Sequence, residues 1–421
     1  MIDTEAGSRL CPACGTATVS QLDAVPWCPA CEWNLDAYDA DRTGPLFGWA
    51  WLDRWTHRLG YRMIRRQFER LLGRPLGTTG ADLATVFVLL ASALLLTSVV
   101  TLGVTGLWLV VAFPFPSPQT VLGVPLIALA IGLRPRFGRI GPDVEVLSRD
   151  RAPELFALVD EVASVTGAPV PHVIGVSDDL NAYAGTFGIR RRRVLCLGLP
   201  YWGALGPQER VALLGHELGH FVNGDPRRML LTQPAFTILG SAADLVRPVQ
   251  TIRGGLLETV GAALGKIFQW ILARLLFALH LALVCVALRD SQRAEYLADE
   301  MAAKAAGSTA ATDLLDGLLR MESLHQTVRR EARNGHGPQR WRTAVAEART
   351  AAAARLPQLR QLSVREEASL FSTHPPTGLR RLMLEQRGWQ GALVTLTEAR
   401  SARIDDELTK EYERVRLTLA W

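Results

Sequence analysis

The apolar and polar positions along this chain alternate between lipid-like runs and periodic stretches of the kind that pack in water. Residues 83–133 contain no charged side chain, and Pro114, Pro116 and Pro118 interrupt them. A bilayer crossing needs about 20 apolar residues, so this run reads as a hairpin of two spanning helices with a shorter second leg. Two later runs, 229–243 and 267–288, are also apolar. The first is short and holds Pro234; the second holds Arg274 and His280. Each reads as a membrane span or as a buried or interfacial helix. Outside these runs the periodicity predicts an amphipathic helix over 153–166, strands over 172–176 and 194–199, and a long helix over 207–223. Segments beyond residue 290 read as mainly helical and rich in alanine and arginine.

One further helix is predicted ahead of the hairpin. Arg54, Arg58, Arg62, Arg66, Arg70 and Arg74 recur every four residues, and Leu52, Trp55, Leu59, Met63 and Phe68 supply a largely apolar second face. That pattern suits a helix on an anionic membrane surface, or a solvated basic helix. A nucleic-acid partner is disfavoured because the basic stripe leads straight into the apolar run. Arginines precede the first hairpin and follow it at Arg134, Arg136 and Arg139. Arg227 and Arg228 precede the second apolar region, and Arg289 and Arg293 follow it. By the positive-inside rule these flanks are cytoplasmic.

Composition agrees with a partly lipid-embedded chain: 48% of the 421 residues are hydrophobic, while the net charge is only +5. The N-terminus lacks the charged-then-apolar pattern of a secretory signal. Four of the six cysteines form two knuckles, Cys11-Pro12-Ala13-Cys14 and Cys28-Pro29-Ala30-Cys31. Such a pair can bring four thiolates to one tetrahedral zinc ion; a pair of redox dithiols is the competing reading, without a surrounding βαβ pattern. The metal would serve as the core of a ribbon this small. The expected organisation is a zinc ribbon over 1–45, a basic juxtamembrane helix over 46–80 and a transmembrane hairpin over 81–135. A domain over 136–421 follows, interrupted by a second apolar hairpin at about 229–288.

The chain has eight histidines, and two bracket a glutamate in His216-Glu217-Leu218-Gly219-His220. On a helix, residues i and i+4 share a face, so both imidazoles can reach one zinc ion. Glu217 can then take a proton from a zinc-activated water. The bland alternative is a partly buried helix with paired histidines. A hydrolytic zinc site wants a third protein ligand, and Glu295 is the best candidate. It stands four residues before Asp299, which could accept a hydrogen bond from a ligand imidazole. Taken alone, that segment would pass for an ordinary acidic helix face.

Four blocks together resemble the HtpX and CAAX-prenyl-protease group of integral-membrane gluzincins. They are Leu180-Asn181-Ala182-Tyr183-Ala184, residues 215–225, residues 291–299, and Thr373-His374-Pro375-Pro376 with Arg380. The resemblance covers roughly residues 80 to 385. It implies a mainly α fold with a small β-sheet, an α+β zincin-type domain with integral membrane helices, to which the ribbon is an addition. It places Asn181 beside an extended peptide, and His374 and Arg380 as groups that stabilise the oxyanion or hold the substrate backbone. Arg381 is adjacent and could take the arginine's role. His374-Pro375-Pro376 could also be only a rigid turn entering a helix.

The resulting expectation is a multi-pass cell-membrane endopeptidase with its N-terminus and catalytic domain in the cytoplasm. It would carry one catalytic and one structural zinc and cleave membrane or misfolded polypeptides. A dedicated processing protease for one lipidated or membrane substrate is an alternative. So is a non-catalytic membrane scaffold that uses the ribbon to bind a protein partner.

Overall fold

The computed structural model describes residues 9–44, 48–76, 83–134, 140–188, 191–223, 238–239, 242 and 256–420. The chain divides into two compact units. One comprises Met1–Thr78, Ile140–Asp225 and Ser291–Trp421; the other comprises Thr79–Arg139 and Pro226–Asp290. The described residues are mainly helical, with one four-stranded sheet.

In the first unit, the knuckles are followed by a short helix α1 (Ala40–Thr43) and then α2 (Ala50–Leu72). The face that α2 buries is Asp53, Thr56, His57, Gly60, Ile64 and Phe68. This differs from the apolar face expected from sequence, because Trp55 is exposed together with Trp51. Ile64 and Phe68 pack with Tyr296, Leu297, Leu379 and Met383, so tertiary contacts choose the buried face. The ribbon and the basic helix lie in the same compact unit as Ile140–Asp225 and Ser291–Trp421.

The sheet comes next. Strand β1 (Glu145–Leu147) leads to α5 (Pro153–Thr166), which starts at a proline and ends at Gly167 in the left-handed conformation. Proline suits a first helical turn, and glycine suits a left-handed cap. Then come β2 (Val173–Ser177), β3 (Ala182–Phe187) and β4 (Arg192–Gly198), in the spatial order β1-β2-β4-β3. The central pair β2 and β4 is parallel, while β1 and β3 join antiparallel at the edges. Central strands are covered on both faces, which explains the unbroken apolar run Val194-Leu195-Cys196-Leu197. Leu199, expected as the end of that strand, instead opens α6 (Leu199–Ala204). The antiparallel edges show no clear strand period: β1 has only three residues, and Ala182, Ala184 and Gly185 of β3 are poor strand formers.

Helix α7 (Pro207–Asn223) follows with the bounds its periodicity predicts, buried along most of its length. The last part of α8 (Leu256–Ala306), from Ser291 on, packs within this unit. Helices α9 (Ser308–Leu318), α10 (Met321–Arg333), α11 (Pro338–Ala351), α12 (Leu356–Glu366), α13 (Thr377–Glu385), α14 (Glu398–Glu407) and α15 (Thr409–Ala420) complete it. One large core joins α5, the sheet, α7, the end of α8 and the C-terminal helices.

In the second unit, α3 (Leu83–Ala112) and α4 (Pro118–Gly132) form the expected helical pair about the prolines. Ser117 caps α4 by accepting from the Thr120 N–H. The run 267–288 lies inside α8, a single continuous helix that carries on into Glu295 and Asp299. Among the described residues, Val86–Ala112 and Gly265–Leu283 are long and apolar enough to cross a membrane. Leu90, Leu94, Trp108, Phe268 and Leu275 leave their side chains exposed. Most of the expected run 229–243, together with Arg136, Arg139, Arg227 and Arg228, lies outside the described residues.

Candidate metal centre and active site

Two helices build the site. His216, Glu217 and His220 lie on α7, and Glu295 and Asp299 lie one turn apart on α8. Their approach depends on two glycines that flank the histidines. A Cβ at Gly215 would lie 2.8 Å from the Ala302 Cα, and one at Gly219 would lie 2.8 Å from the Ala298 Cα. Real side chains do not tolerate that distance, so only glycine lets the two backbones come this close. The spacing Gly215-x-x-x-Gly219 was in the sequence. Its partners Ala298 and Ala302 gave it meaning only once the helices were seen to cross.

The crossing brings His216, His220 and Glu295 together, with ligand atoms all within 4.8 Å of one another. Each histidine offers Nε2. His216 Nε2 lies 3.7 Å from Glu295 Oε2, and His220 Nε2 lies 3.6 Å from Glu295 Oε1. These separations are too long for hydrogen bonds. They are close to the roughly 3.3 Å expected between two ligands of a tetrahedral zinc ion with bonds near 2.0–2.1 Å. The two imidazole rings stand nearly perpendicular, at 86°. Glu295 Oε2 is buried and takes no well-aligned hydrogen bond, although His374 Nδ1 comes within 2.9 Å and Arg380 Nη1 within 3.4 Å. An acceptor in that state beside two imidazole nitrogens fits a cation.

The surroundings fix the chemistry of these groups. Asp299 Oδ1 lies 3.0 Å from His216 Nδ1. A carboxylate only accepts, so the proton belongs on Nδ1 and the Nε2 lone pair faces the cluster. Arg380 holds Asp299 in a fork, Nε to Oδ2 at 2.8 Å and Nη2 to Oδ1 at 2.6 Å. Burial works against ionisation of Asp299 and Glu295, but the Arg380 guanidinium, with His216 at Asp299 and His374 at Glu295, holds both carboxyls below the usual range. Glu217 is different. Burial pushes its carboxyl up, only partly offset by the two histidines and by the backbone N–H of Ala184. The two glutamates of the site are thus driven apart, one kept ionised and the other inclined to hold a proton.

Arg380, to which the resemblance gives an oxyanion- or backbone-holding role, meets carboxylates in this structure. It is buried, and its guanidinium is occupied by Asp299 and Glu295 rather than turned outward. The neighbouring Arg381 turns to Asp316 and Glu385, away from this cluster. His374 does stay exposed while standing at the Glu295 carboxylate. Asn181 is exposed at the start of β3, where its carbonyl accepts from the Gly198 N–H at 2.7 Å. Among the described contacts it is Ala184, three residues on, that reaches Glu217. Sequence reasoning missed this use of the edge strand.

With that geometry in view, comparisons with known proteins are specific. The family model described as Peptidase family M48 matches residues 149–387, which span every residue of the cluster. The chain belongs to this family. A protease HtpX homolog of Syntrophobacter fumaroxidans is 29% identical over 239 residues, covering 55% of this chain and 74% of that protein. A homolog of Gemmatimonas aurantiaca is 27% identical over 255 residues, covering 57% and 78%. One of Streptococcus uberis is 26% identical over 306 residues, covering 69% and 92%. No solved structure matches the chain. As an M48 peptidase the protein is a metalloprotease, a hydrolase acting on polypeptides, in a family that is typically zinc-dependent.

The N-terminal cysteines form a second candidate centre. Cys11 and Cys28 are buried and Cys14 and Cys31 exposed, with all four sulfurs within 4.8 Å of one another. Cys11 Sγ lies 3.6 Å from Cys31 Sγ, and Cys14 Sγ lies 3.5 Å from Cys28 Sγ. Disulfides need about 2.05 Å, whereas sulfurs sharing a tetrahedral zinc at about 2.3 Å stand roughly 3.8 Å apart. Hydrogen bonds with Thr16 lower the pKa of the Cys14 thiol, whereas burial and the neighbouring cysteines raise that of Cys31.

Proposed function

We propose that this M48 peptidase is a multi-pass membrane endopeptidase that cleaves membrane or misfolded proteins at a single zinc centre, from the cytoplasmic side. The observation that carries the reading is the convergence of His216 Nε2, His220 Nε2 and the Glu295 carboxylate within 4.8 Å of one another, beside the buried Glu217. These three would hold the catalytic zinc. Bound there, it would supply Lewis acidity to a scissile carbonyl and to the attacking water.

The chain's own groups account for the remaining work. Glu217, with its raised proton affinity, takes the proton of the attacking water and returns it to the leaving amine. Asp299 holds the His216 tautomer, and Arg380 holds Asp299 and Glu295 in place. His374, exposed at the cluster, would donate to the oxygen on which negative charge develops. Among the described residues strand β3 stands at the edge of the sheet and reaches Glu217 through Ala184, so an extended peptide would align beside it, with Asn181 at its start. The apolar helices Val86–Ala112 and Gly265–Leu283 support membrane insertion. The arginines flanking the apolar runs support a cytoplasmic site. The four cysteines would hold a second, structural zinc.

The Glu217→Gln variant tests the mechanism. It should bind the catalytic metal as the parent does, yet lose proteolysis by about 100-fold or more, the scale expected for removing a general base. Undiminished turnover by this variant would falsify the assignment.

A further inference from the structure

The ribbon is not presented outward as a free module. Its own core residues Ala24, Trp27 and Leu35 are completed by Leu362 of α12. Gln361, on the same helix, accepts from Trp27 Nε1 at 3.0 Å and donates to the carbonyl of Pro29 at 2.9 Å. Pro29 lies between the two cysteines of the second knuckle. Arg365, one turn along, is fully buried beneath the ribbon. It donates to the carbonyls of Val25 at 2.6 Å and Asn34 at 2.9 Å, and its guanidinium sits 5.1 Å from the Trp27 ring centroid. Ion pairs Arg42–Glu366 and Arg65–Glu32 and a Gln21–Gln358 hydrogen bond surround this joint.

The helix so gripped leads directly into the segment that serves the peptidase site. Glu367, the residue after α12, accepts from both the N–H and the hydroxyl of Thr377, at 2.6 and 2.9 Å. That closes the loop 367–376 onto the start of α13. The Ser363 hydroxyl accepts from the Gly378 N–H at 2.9 Å, where a Cβ would strike the Arg360 carbonyl at 2.1 Å. Helices α12 and α13 are therefore locked as a pair, with His374 in the loop between them and Arg380 on α13. Gly60 of the basic helix presses on the same loop, its missing Cβ 3.1 Å from the Leu370 nitrogen.

We infer that the N-terminal ribbon, closed by a zinc ion on Cys11, Cys14, Cys28 and Cys31, is an internal brace that positions His374 and Arg380 for the peptidase centre. A burial as complete as that of Arg365 has no use in a module awaiting an outside partner. Four thiolates suit zinc, and a ribbon this small holds its shape only with the metal in place. Losing the metal would release the carbonyl and ring contacts of Arg365 and Gln361 together, and α12 with them. His374 and Arg380 would then be misplaced, and the hold of Arg380 on Asp299 and Glu295 would loosen, while His216, His220 and Glu295 themselves stay unaltered in sequence. Arg365 and Gln361 are positioning residues, not catalytic ones.

The inference rests on the proposed role of His374 for its effect on turnover, and the test separates the two. The full chain in detergent is compared with a Cys14→Ser/Cys31→Ser variant, which alters only the two exposed cysteines, and with Gln361→Ala, which keeps all four. Zinc content, amide hydrogen exchange and hydrolysis of unfolded casein are measured. The double variant should lose one zinc and keep the other, with faster exchange over residues 356–380 and unchanged exchange in α5 and α7. Its kcat should fall about tenfold or more with KM little altered, as expected when a reacting group shifts by a fraction of an ångström. Gln361→Ala should keep both metals and show the same local exchange change to a smaller degree. Unchanged exchange over 367–380 in both variants would overturn the brace. A parent protein that fails to cleave casein would count against the proposed function, while the exchange result would still decide the brace.

Discussion

At the scale of single residues, the site depends on which groups are free to act and which are held. Asp299 is held completely, since one oxygen faces His216 Nδ1 and both engage the Arg380 fork. Replacing it by asparagine would keep the shape and remove the charge that fixes the imidazole. Partners of metal-bound histidines are typically worth about 10- to 100-fold in metal affinity or activity. Asp299→Asn should therefore weaken zinc retention and activity by about that factor, measured by competition with a chelator and by turnover. Full affinity in this variant would mean that His216 needs no orienting partner. His216 with His220, and Glu295 with Asp299, were legible because residues four apart on a helix share a face, while Glu217 was read from its place in the motif. Arg380 was named from the resemblance, but only the fold shows that its guanidinium is buried against two carboxylates.

At the scale of elements, the decisive contact is the crossing of α7 and α8. Glycine is a poor helix former, costing about 1 kcal/mol relative to alanine. On propensity alone Gly219→Ala would stabilise α7. The Ala298 backbone is only 2.8 Å from the added carbon, and overpacking of this kind typically costs about 1–3 kcal/mol. The steric term is the larger, so Gly219→Ala should lower thermal stability. It should also reduce occupancy of the catalytic centre, since His220 would be pushed away from Glu295. A melting curve and a zinc assay on the same preparation would check both. The helices 153–166 and 207–223 were legible to the residue, because buried side chains recur with the helical period and prolines mark their starts. The edge strands β1 and β3 were not: β1 has only three residues and pairs with a strand beyond α5, and Ala182, Ala184 and Gly185 give β3 few strand-forming side chains.

At the scale of the molecule, the elements beyond the family match are tied to the catalytic unit by charge. Glu154 on α5 pairs with Arg400 and Arg403 of α14, and Glu145 pairs with Arg151 and Arg414 of α15. The Arg403 and Arg400 side chains hold the Glu154 carboxyl below its ordinary value of 4.5; at Glu145, burial works the other way but Arg151 and Arg414 prevail. A carboxylate whose proton affinity is lower in the folded chain contributes stability that is present above the ordinary value and is lost as pH falls through the folded one. Thermal stability should therefore be flat near neutrality and decline below about pH 4.5, and salt should soften the effect because these pairs are exposed. Melts across pH and ionic strength measure this; a stability that rises on acidification would reject it. By itself the sequence determined the apolar runs, the two cysteine knuckles and the paired ligands at helical spacing, because each is a local pattern that covalent geometry converts into a shared face. Tertiary structure alone decided that α7 and α8 cross at glycine, that Arg380 braces carboxylates, and that the ribbon seats on α12. Those contacts join residues up to some 340 positions apart, and only packing brings them within reach.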